Sequence, residues 1–178
     1  MVGFCLAFFY VAPPLRLAYL GRGLGELDIL IAFGILPLVG SYYIQTGHVT
    51  LNALLASLPI GLYTTVVLYF HHFLHWRADA KVNKVTPVVA LGEARARTAG
   101  GVLLVLIALT ILLDALFSVF PWYSAIAVLT IIPVLFALQQ ATGDLKGYVK
   151  LMAANLNANL LTALLVVVAL LVRGFTRT

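Results

Sequence analysis

Charge is what this sequence has least of: eleven basic and six acidic residues in 178, or 10% of the chain, against 63% hydrophobic residues. With a mean hydropathy of +1.08, that composition excludes a soluble domain, because a chain of this length has too little interior to hide so much apolar surface. The single cysteine, Cys5, excludes an intrachain disulfide and, lying in an apolar stretch, says nothing of redox compartment. No alternating apolar and polar pattern supports a β-barrel. Secretory features are missing as well. Residues 1–12 have neither a basic start nor a small-residue cleavage site and read as the end of a spanning helix, so a further portion is expected upstream.

What is present is apolar length. After Pro13-Pro14 stops the first run, further runs cover residues 27–45, 51–76, 100–120, 122–139 and 152–172, each suited to a helical span of about twenty residues. The expected fold is an all-α polytopic transmembrane helical bundle. It forms one membrane domain over residues 1–178, with about five full spans and one truncated N-terminal span. Pro37 predicts a kink in the second run, and Pro59 lies inside the third. The connection 77–97 is long for adjacent membrane helices. Within it, Thr86 and Pro87 are expected to start a short helix that Gly92 breaks, forming a cap over the histidine face at the end of the third run.

Crossing the membrane at each span places loops 13–26, 77–97 and 140–151 on one side, with nine of the eleven basic residues: Arg16, Arg22, Arg77, Lys81, Lys84, Arg95, Arg97, Lys146 and Lys150. The opposite side holds 46–50, the Pro121 turn and the C-terminus, with Arg173 and Arg177. The positive-inside rule makes the first set cytoplasmic in an integral, multi-pass protein of the lipid bilayer, the plasma membrane if the source is prokaryotic. The net charge of +5 is thereby read as topology and not as a nucleic-acid surface.

Three of the four histidines and one of the six acids fall between His71 and Asp79, where the third run meets the basic loop. On a helix His71, His75 and Asp79 advance by four residues each and share roughly one face over about 12 Å. His72 points about a hundred degrees away from His71 and reads as a helix-face or interfacial histidine. For His71, His75 and Asp79 two readings compete. They are polar groups at a wet helix end, or they form a site whose imidazoles donate to a diphosphate or bind a divalent metal such as zinc, manganese or iron. A haem or other redox role is a third.

The stretch Tyr10-Val-Ala-Pro13-Pro14-Leu-Arg16-Leu-Ala-Tyr19-Leu-Gly-Arg22-Gly-Leu-Gly25-Glu26 resembles the middle of UbiA-superfamily intramembrane prenyltransferases, especially the dihydroxynaphthoate branch of menaquinone synthesis. Gly40-Ser-Tyr42-Tyr43-Ile-Gln45-Thr46-Gly47 is similar to the next helix end of that branch, and Asp79, Lys84, Thr86, Leu91 and Gly92 match the end of the second aspartate motif and its C-terminal neighbouring segment. The resemblance covers roughly residues 8–97 and is to the C-terminal part of the fold, with N-terminal helices missing. It implies transfer of a polyprenyl group from its diphosphate to an aromatic quinone precursor, with Mg2+ held between two aspartate motifs and basic side chains around the leaving group.

The sequence departs from that pattern. The upstream motif is absent, His75 stands where the second motif's first aspartate is usual, and His71 stands where a polar residue is usual. The resemblance then implies Asp79, His75 and His71 at the metal positions, Asp79 and Lys84 as catalytic groups, and Arg77, Lys84 and Arg16 around the diphosphate. Tyr10 is implied in the aromatic or prenyl pocket, against the plainer reading of an interfacial tyrosine. This chain alone is expected to be incomplete or inactive, with a partner chain a candidate source of the missing half. The competing expectations are a non-catalytic membrane subunit or scaffold and a histidine-based metal or haem membrane protein.

Asn83 replaces a glycine usual in the family and can keep the turn through the left-handed conformation. Asp114, an acid within an apolar span, is expected to reach the far interface. Asn155, Asn157 and Asn159 are read as helix-to-helix hydrogen-bonding groups or a polar helix start.

Overall fold

In a bilayer each backbone amide has to find its partner within its own segment, and this apolar chain solves the problem with helices alone. The computed structural model describes residues 1–21, 23–141 and 143–176, and among the described residues every regular element is helical. In chain order they are α1 (Val2–Val11), α2 (Leu24–Thr46), α3 (Leu51–Lys81), the short α4 (Pro87–Leu91), α5 (Glu93–Leu116), α6 (Trp122–Gln140) and α7 (Leu145–Thr176). Five of these, α2, α3, α5, α6 and α7, are long and apolar enough to cross a membrane.

The helices extend beyond the apolar runs at their basic ends: α5 begins at Glu93 where the run begins at residue 100, and α7 at Leu145 where the run begins at 152. Hydropathy marks contact with lipid, whereas helical hydrogen bonding continues into the interface. At the other end α5 stops short of its run. Residues 117–120 are apolar enough to continue it, but Ser118 takes φ 59° and turns the chain into the Pro121 corner. The expected irregularity near Pro37 is a π-helical stretch, Leu30–Ile35, directly before it. Pro37 has no N–H for the carbonyl one turn back, and a widened turn accommodates that loss. The first half of α6, Trp122–Thr130, is wound as a tighter 3₁₀ helix.

The central element is α3, which packs against α2, α5 and α7. Its crossing with α2 is made by glycine on glycine: a Cβ on Gly34 would collide with Gly61 Cα, and a Cβ on Gly61 would come within 2.8 Å of Leu30 and 3.0 Å of Gly34 Cα. Without a hydrophobic drive between helices in lipid, such close backbone approach supplies the dispersion contact that holds them. Tyr63, Val66 and Phe70 of α3 are fully buried with Leu104, Ile107 and Ile111 of α5 and Leu151 of α7. A chain of hydroxyls crosses this interior, Tyr63 Oη to Thr130 Oγ1 and on to Thr162 Oγ1, both at 2.7 Å. Asn155 Nδ2 donates to the Tyr63 carbonyl at 3.4 Å, as expected of a helix-to-helix group, while Asn157 is exposed. Asp114 is enclosed by the bundle, 2% exposed, where an open position at the helix end was expected, and Phe120 folds back beside it to donate its N–H to the Asp114 carbonyl.

Contacts between loops put their ends together. Arg97 in the first turns of α5 donates to the Leu138 and Gln139 carbonyls at the end of α6, at 2.9 and 3.2 Å, a cation on the negative pole of a helix. Tyr148 of α7 donates to Glu93 Oε1 at 2.6 Å, and Gly21 packs against Val85. The loops following α1, α3 and α6 therefore share one end of the bundle. At the opposite end Arg173 Nη1 donates to the Ser118 and Val119 carbonyls.

Candidate functional site

The cluster singled out from the sequence sits on the last three turns of α3. A helix of 31 residues is longer than a bilayer core requires, so its end carries His71, His75 and Asp79 to the basic end of the bundle. The His71 and His75 rings lie one turn apart with centroids 5.2 Å apart and planes tilted by 58°, and both residues are exposed. Asp79 is half-buried because the chain folds back on it.

That fold is a helix C-cap of the Schellman type. Lys84 N–H donates to the Asp79 carbonyl at 3.0 Å and Asn83 N–H to the Ala80 carbonyl at 3.3 Å, with Asn83 in the left-handed region at φ 56°. The expected tolerance of asparagine at the glycine position is thus realised. The same turn returns the Lys84 side chain to Asp79, Nζ to Oδ1 at 3.4 Å. Arg77 lies exposed with its guanidinium 5.1 Å from the Trp76 ring centre. Arg16 is exposed, at φ 47°, over the Tyr19 ring at 4.7 Å. Arg22, grouped with it by sequence, lies outside the described residues.

The cap helix α4 forms where expected, with Thr86 Oγ1 accepting from Val89 N–H and Gly92 ending it at φ 75°. Its placement is different. Val85, Thr86 and Pro87 close over a narrow cleft shared with Tyr10, Gly21, Glu26 and His72, leaving His71 and His75 uncovered. The hundred-degree step between adjacent helix positions decides this, since it turns His72 inward as His71 turns out. His72 is therefore not interfacial: it is 5% exposed, with Nε2 at 3.2 Å from Glu26 Oε1. The contact has ion-pair distance without hydrogen-bond alignment, and Glu26 Oε1 and His72 Nδ1 are both buried without a hydrogen-bond partner. Tyr10 belongs to this inner cleft and not to the His71 face.

Glu26 was the residue that sequence reasoning missed as a site group. Its signal was present: an acid at the head of an apolar span requires a partner or a cavity. Which partner it takes depends on the packing of α2 on α3.

The sequence matches the UbiA prenyltransferase family over residues 1–148. This chain belongs to that family. Among curated relatives, it is 40% identical over 91 residues to the 2-carboxy-1,4-naphthoquinone phytyltransferase of Synechocystis sp., an overlap of 51% of this chain and 29% of that protein. It is 33% identical over 107 residues to the 1,4-dihydroxy-2-naphthoate octaprenyltransferase of Haemophilus influenzae, covering 60% of this chain and 35% of the relative. The protein of that name from Escherichia coli is 36% identical over 75 residues, 42% of this chain and 24% of its own length. The chain thus spans about a third or less of these relatives. No solved structure matches it significantly.

UbiA prenyltransferases generally depend on a divalent metal. A hard divalent ion takes several oxygen ligands, and the α3 face offers one carboxylate, Asp79, already engaged by Lys84, beside two imidazoles. Among the described residues no three His, Cys, Asp or Glu side chains are placed to hold an ion. The residues of this UbiA chain do not by themselves fit the group.

Proposed function

We propose that this UbiA-family chain forms the diphosphate end of an enzyme that moves a polyprenyl group from its diphosphate to an aromatic quinone precursor of the naphthoate type. The observation that carries the reading is the pairing of Asp79 with Lys84 at the mouth of the bundle, beside exposed His71 and His75 and with Arg77 on the same helix end. A diphosphate leaving group needs fixed positive charge where its own charge develops. Lys84 supplies it from a rigid cap, and Arg77 is one helical turn or less from Asp79.

In this reading Asp79 orients Lys84 and hands the ammonium to the diphosphate, while His71 and His75 donate ring N–H groups to the phosphate oxygens. Arg16 approaches from the loop after α1, whose Gly21 touches Val85 beside Lys84. Tyr10 faces the inner cleft with Glu26 and contributes to the ring pocket from that side. The further carboxylates that an ion such as Mg2+ would need are assigned to residues outside this chain, either more of the same protein or a partner chain. The naphthoate assignment rests on the names of the relatives from Synechocystis and Haemophilus.

Residues 1–178 act as one membrane domain, with loops 13–26, 77–97 and 140–151 on the cytoplasmic side by their nine basic residues. That side is where the charged diphosphate head of a membrane-borne prenyl donor meets water.

The test is an assay of the complete protein in membranes with a polyprenyl diphosphate and 1,4-dihydroxy-2-naphthoate, following the prenylated product by mass spectrometry. Product is expected, with Asp79→Ala and Lys84→Gln each lowering kcat/KM by about tenfold or more, as loss of a charge-assisted contact implies. Undiminished turnover in Asp79→Ala removes the site assignment; absence of product with this acceptor removes the naphthoate reading.

A further inference from the structure

Two hollows follow the seam along which α6 packs against α7. One, of about 490 Å³, is walled by Leu129 and Pro133 of α6 and by Ala154, Asn157, Leu161 and Leu165 of α7. The other, of about 300 Å³, lies toward the basic end and is lined by Ala137, Gln140, Asp144, Lys146 and Lys150. The two form one groove. On α7, Lys150, Ala154, Asn157, Leu161 and Leu165 follow each other by three or four residues, as Leu129, Pro133, Ala137 and Gln140 do on α6, so each set keeps to one helix face. Leu129 and Leu161 are 57% and 48% exposed, which leaves the groove open to lipid.

The groove changes character along its length. At the basic end Lys146 and Lys150 are exposed and one turn apart, with Cβ atoms about 5–6 Å from each other, a gap that one phosphodiester can bridge. Their charges are unspent: among the described residues neither lysine is ion-paired. Of the acids at this end, Glu93 accepts from Tyr148 Oη at 2.6 Å, and Asp144 Oδ1 accepts from the Gly147 N–H at 3.2 Å. Roughly 10 Å deeper along α7, Asn157 presents an exposed amide in the apolar stretch, where a polar group without a partner is costly. Thr130, the other polar residue of that stretch, has its hydroxyl engaged by Tyr63 and Thr162.

We propose that this groove holds one anionic phospholipid, with its phosphodiester between Lys146 and Lys150. An ester carbonyl accepts from the Asn157 amide, and an acyl chain lies along Pro133, Leu161 and Leu165. The order of the groups, cationic, then amide, then apolar, is the order of a phospholipid from head to tail, and basic pockets between membrane helices at the interface take anionic headgroups. A zwitterionic lipid brings the same phosphate together with a cation that the two lysines repel. A second copy of this chain fits worse. Copies share one orientation in the membrane, so a two-fold contact along this seam sets Lys146 and Lys150 against their counterparts, and like charges face to face are costly. None of His71, His75, Asp79 and Lys84 lines the groove, so the site is independent of any transferase activity.

The experiment is native mass spectrometry of the full chain released from dodecyl maltoside micelles and titrated with dioleoyl phosphatidylglycerol, phosphatidylethanolamine or phosphatidylcholine. One retained phosphatidylglycerol per chain is expected, with the two zwitterionic lipids at least about tenfold weaker. Each lysine facing an anionic lipid corresponds to about fivefold in affinity, so Lys146→Gln with Lys150→Gln is expected to weaken phosphatidylglycerol by about thirtyfold and to remove the preference. Arg95→Gln, which removes an exposed cation at the same end but outside the groove, is expected to change nothing. Ala154→Phe, which fills the apolar stretch, is expected to weaken binding by about tenfold or more, and the exposed lysine pair decides the matter if that variant does not fold. Inorganic phosphate is not expected to displace the lipid. Equal retention of the three lipids, a preference for either zwitterionic one, or an Arg95→Gln loss as large as that of the lysine pair would each overturn the proposal. So would displacement by phosphate, binding indifferent to the lysine pair or to a folded Ala154→Phe, or a lipid-free dimer. None of these outcomes depends on prenyl transfer.

Discussion

Lys84 lies 3.4 Å from Asp79 because the residue before it, Asn83, turns the chain back over the last turn of α3 with φ at 56°. A single ion pair that keeps part of each group in water contributes little stability by itself. Its geometry is instead fixed by backbone, through the Lys84 N–H to Asp79 carbonyl bond at 3.0 Å.

Asn83→Gly is accordingly expected to keep the cap and to leave thermal stability in detergent unchanged or slightly raised. Asn83→Ile, which forces a β-branched residue into the left-handed region, is expected to lose about 1–2 kcal/mol. It should also loosen Lys84 from Asp79, and a weakened affinity for inorganic pyrophosphate, measured by calorimetry, is the accompanying readout. Equal behaviour of the two variants would show that the cap does not position Lys84.

Gly61→Leu is expected to drive α2 and α3 apart. The added side chain meets Leu30 and Gly34 Cα at distances no ordinary Cβ occupies. Overpacking of this kind costs about 1–3 kcal/mol, occasionally more. A lowered melting temperature is the measurement, with Gly40→Leu, where nothing lies within 4 Å, as the neutral control. A stable Gly61→Leu would refute the close crossing.

Arg97→Met removes the cation that covers the last carbonyls of α6 while keeping most of the side chain's apolar length. Hydrogen bonds to a charged donor contribute about 1.5–3 kcal/mol, and this pair is partly exposed, so a loss near the lower bound is expected. Amide hydrogen exchange at residues 138–141 should rise in the variant and stay unchanged around Ser118 at the opposite end.

Thr130→Val cuts the hydroxyl chain from Tyr63 to Thr162 at its middle and leaves two buried hydroxyls short of a partner. Interhelical hydrogen bonds in membranes average about 0.6 kcal/mol, so the single variant should cost roughly 1 kcal/mol. The double variant Thr130→Val with Thr162→Val should recover part of it, because the orphaned group is removed as well. Additive losses in a double-mutant cycle would contradict the network.

The outline of the fold was legible because its causes are local. Residues 51–76 are apolar for long enough to span, Pro37 marks a backbone defect wherever it stands in a helix, and Thr86-Pro87 with Gly92 punctuates a short helix. Boundaries were less legible. Basic residues at the heads of α5 and α7 interrupt the hydropathy but not the helix, and Ser118 ends α5 inside an apolar run. At the site, the face shared by His71, His75 and Asp79 followed from helical spacing, and the turn at Asn83 from its tolerance of positive φ.

His72 and Glu26 mark the limit. Spacing says that His72 leaves the His71 face, and no more. That it turns toward an acid at the head of α2, beneath the cap, depends on how α2 crosses α3 at Gly34 and Gly61. The sequence by itself determined the spans, their basic end and the composition of the polar face, because in lipid each helix satisfies its own backbone and its charges sort by side. Only the tertiary structure decided which side of α3 the cap covers, that Asp114 is buried and that His72 meets Glu26. Those outcomes arise from contacts between helices distant in the chain, where the close fit of two glycines sets a rotation that no local pattern encodes.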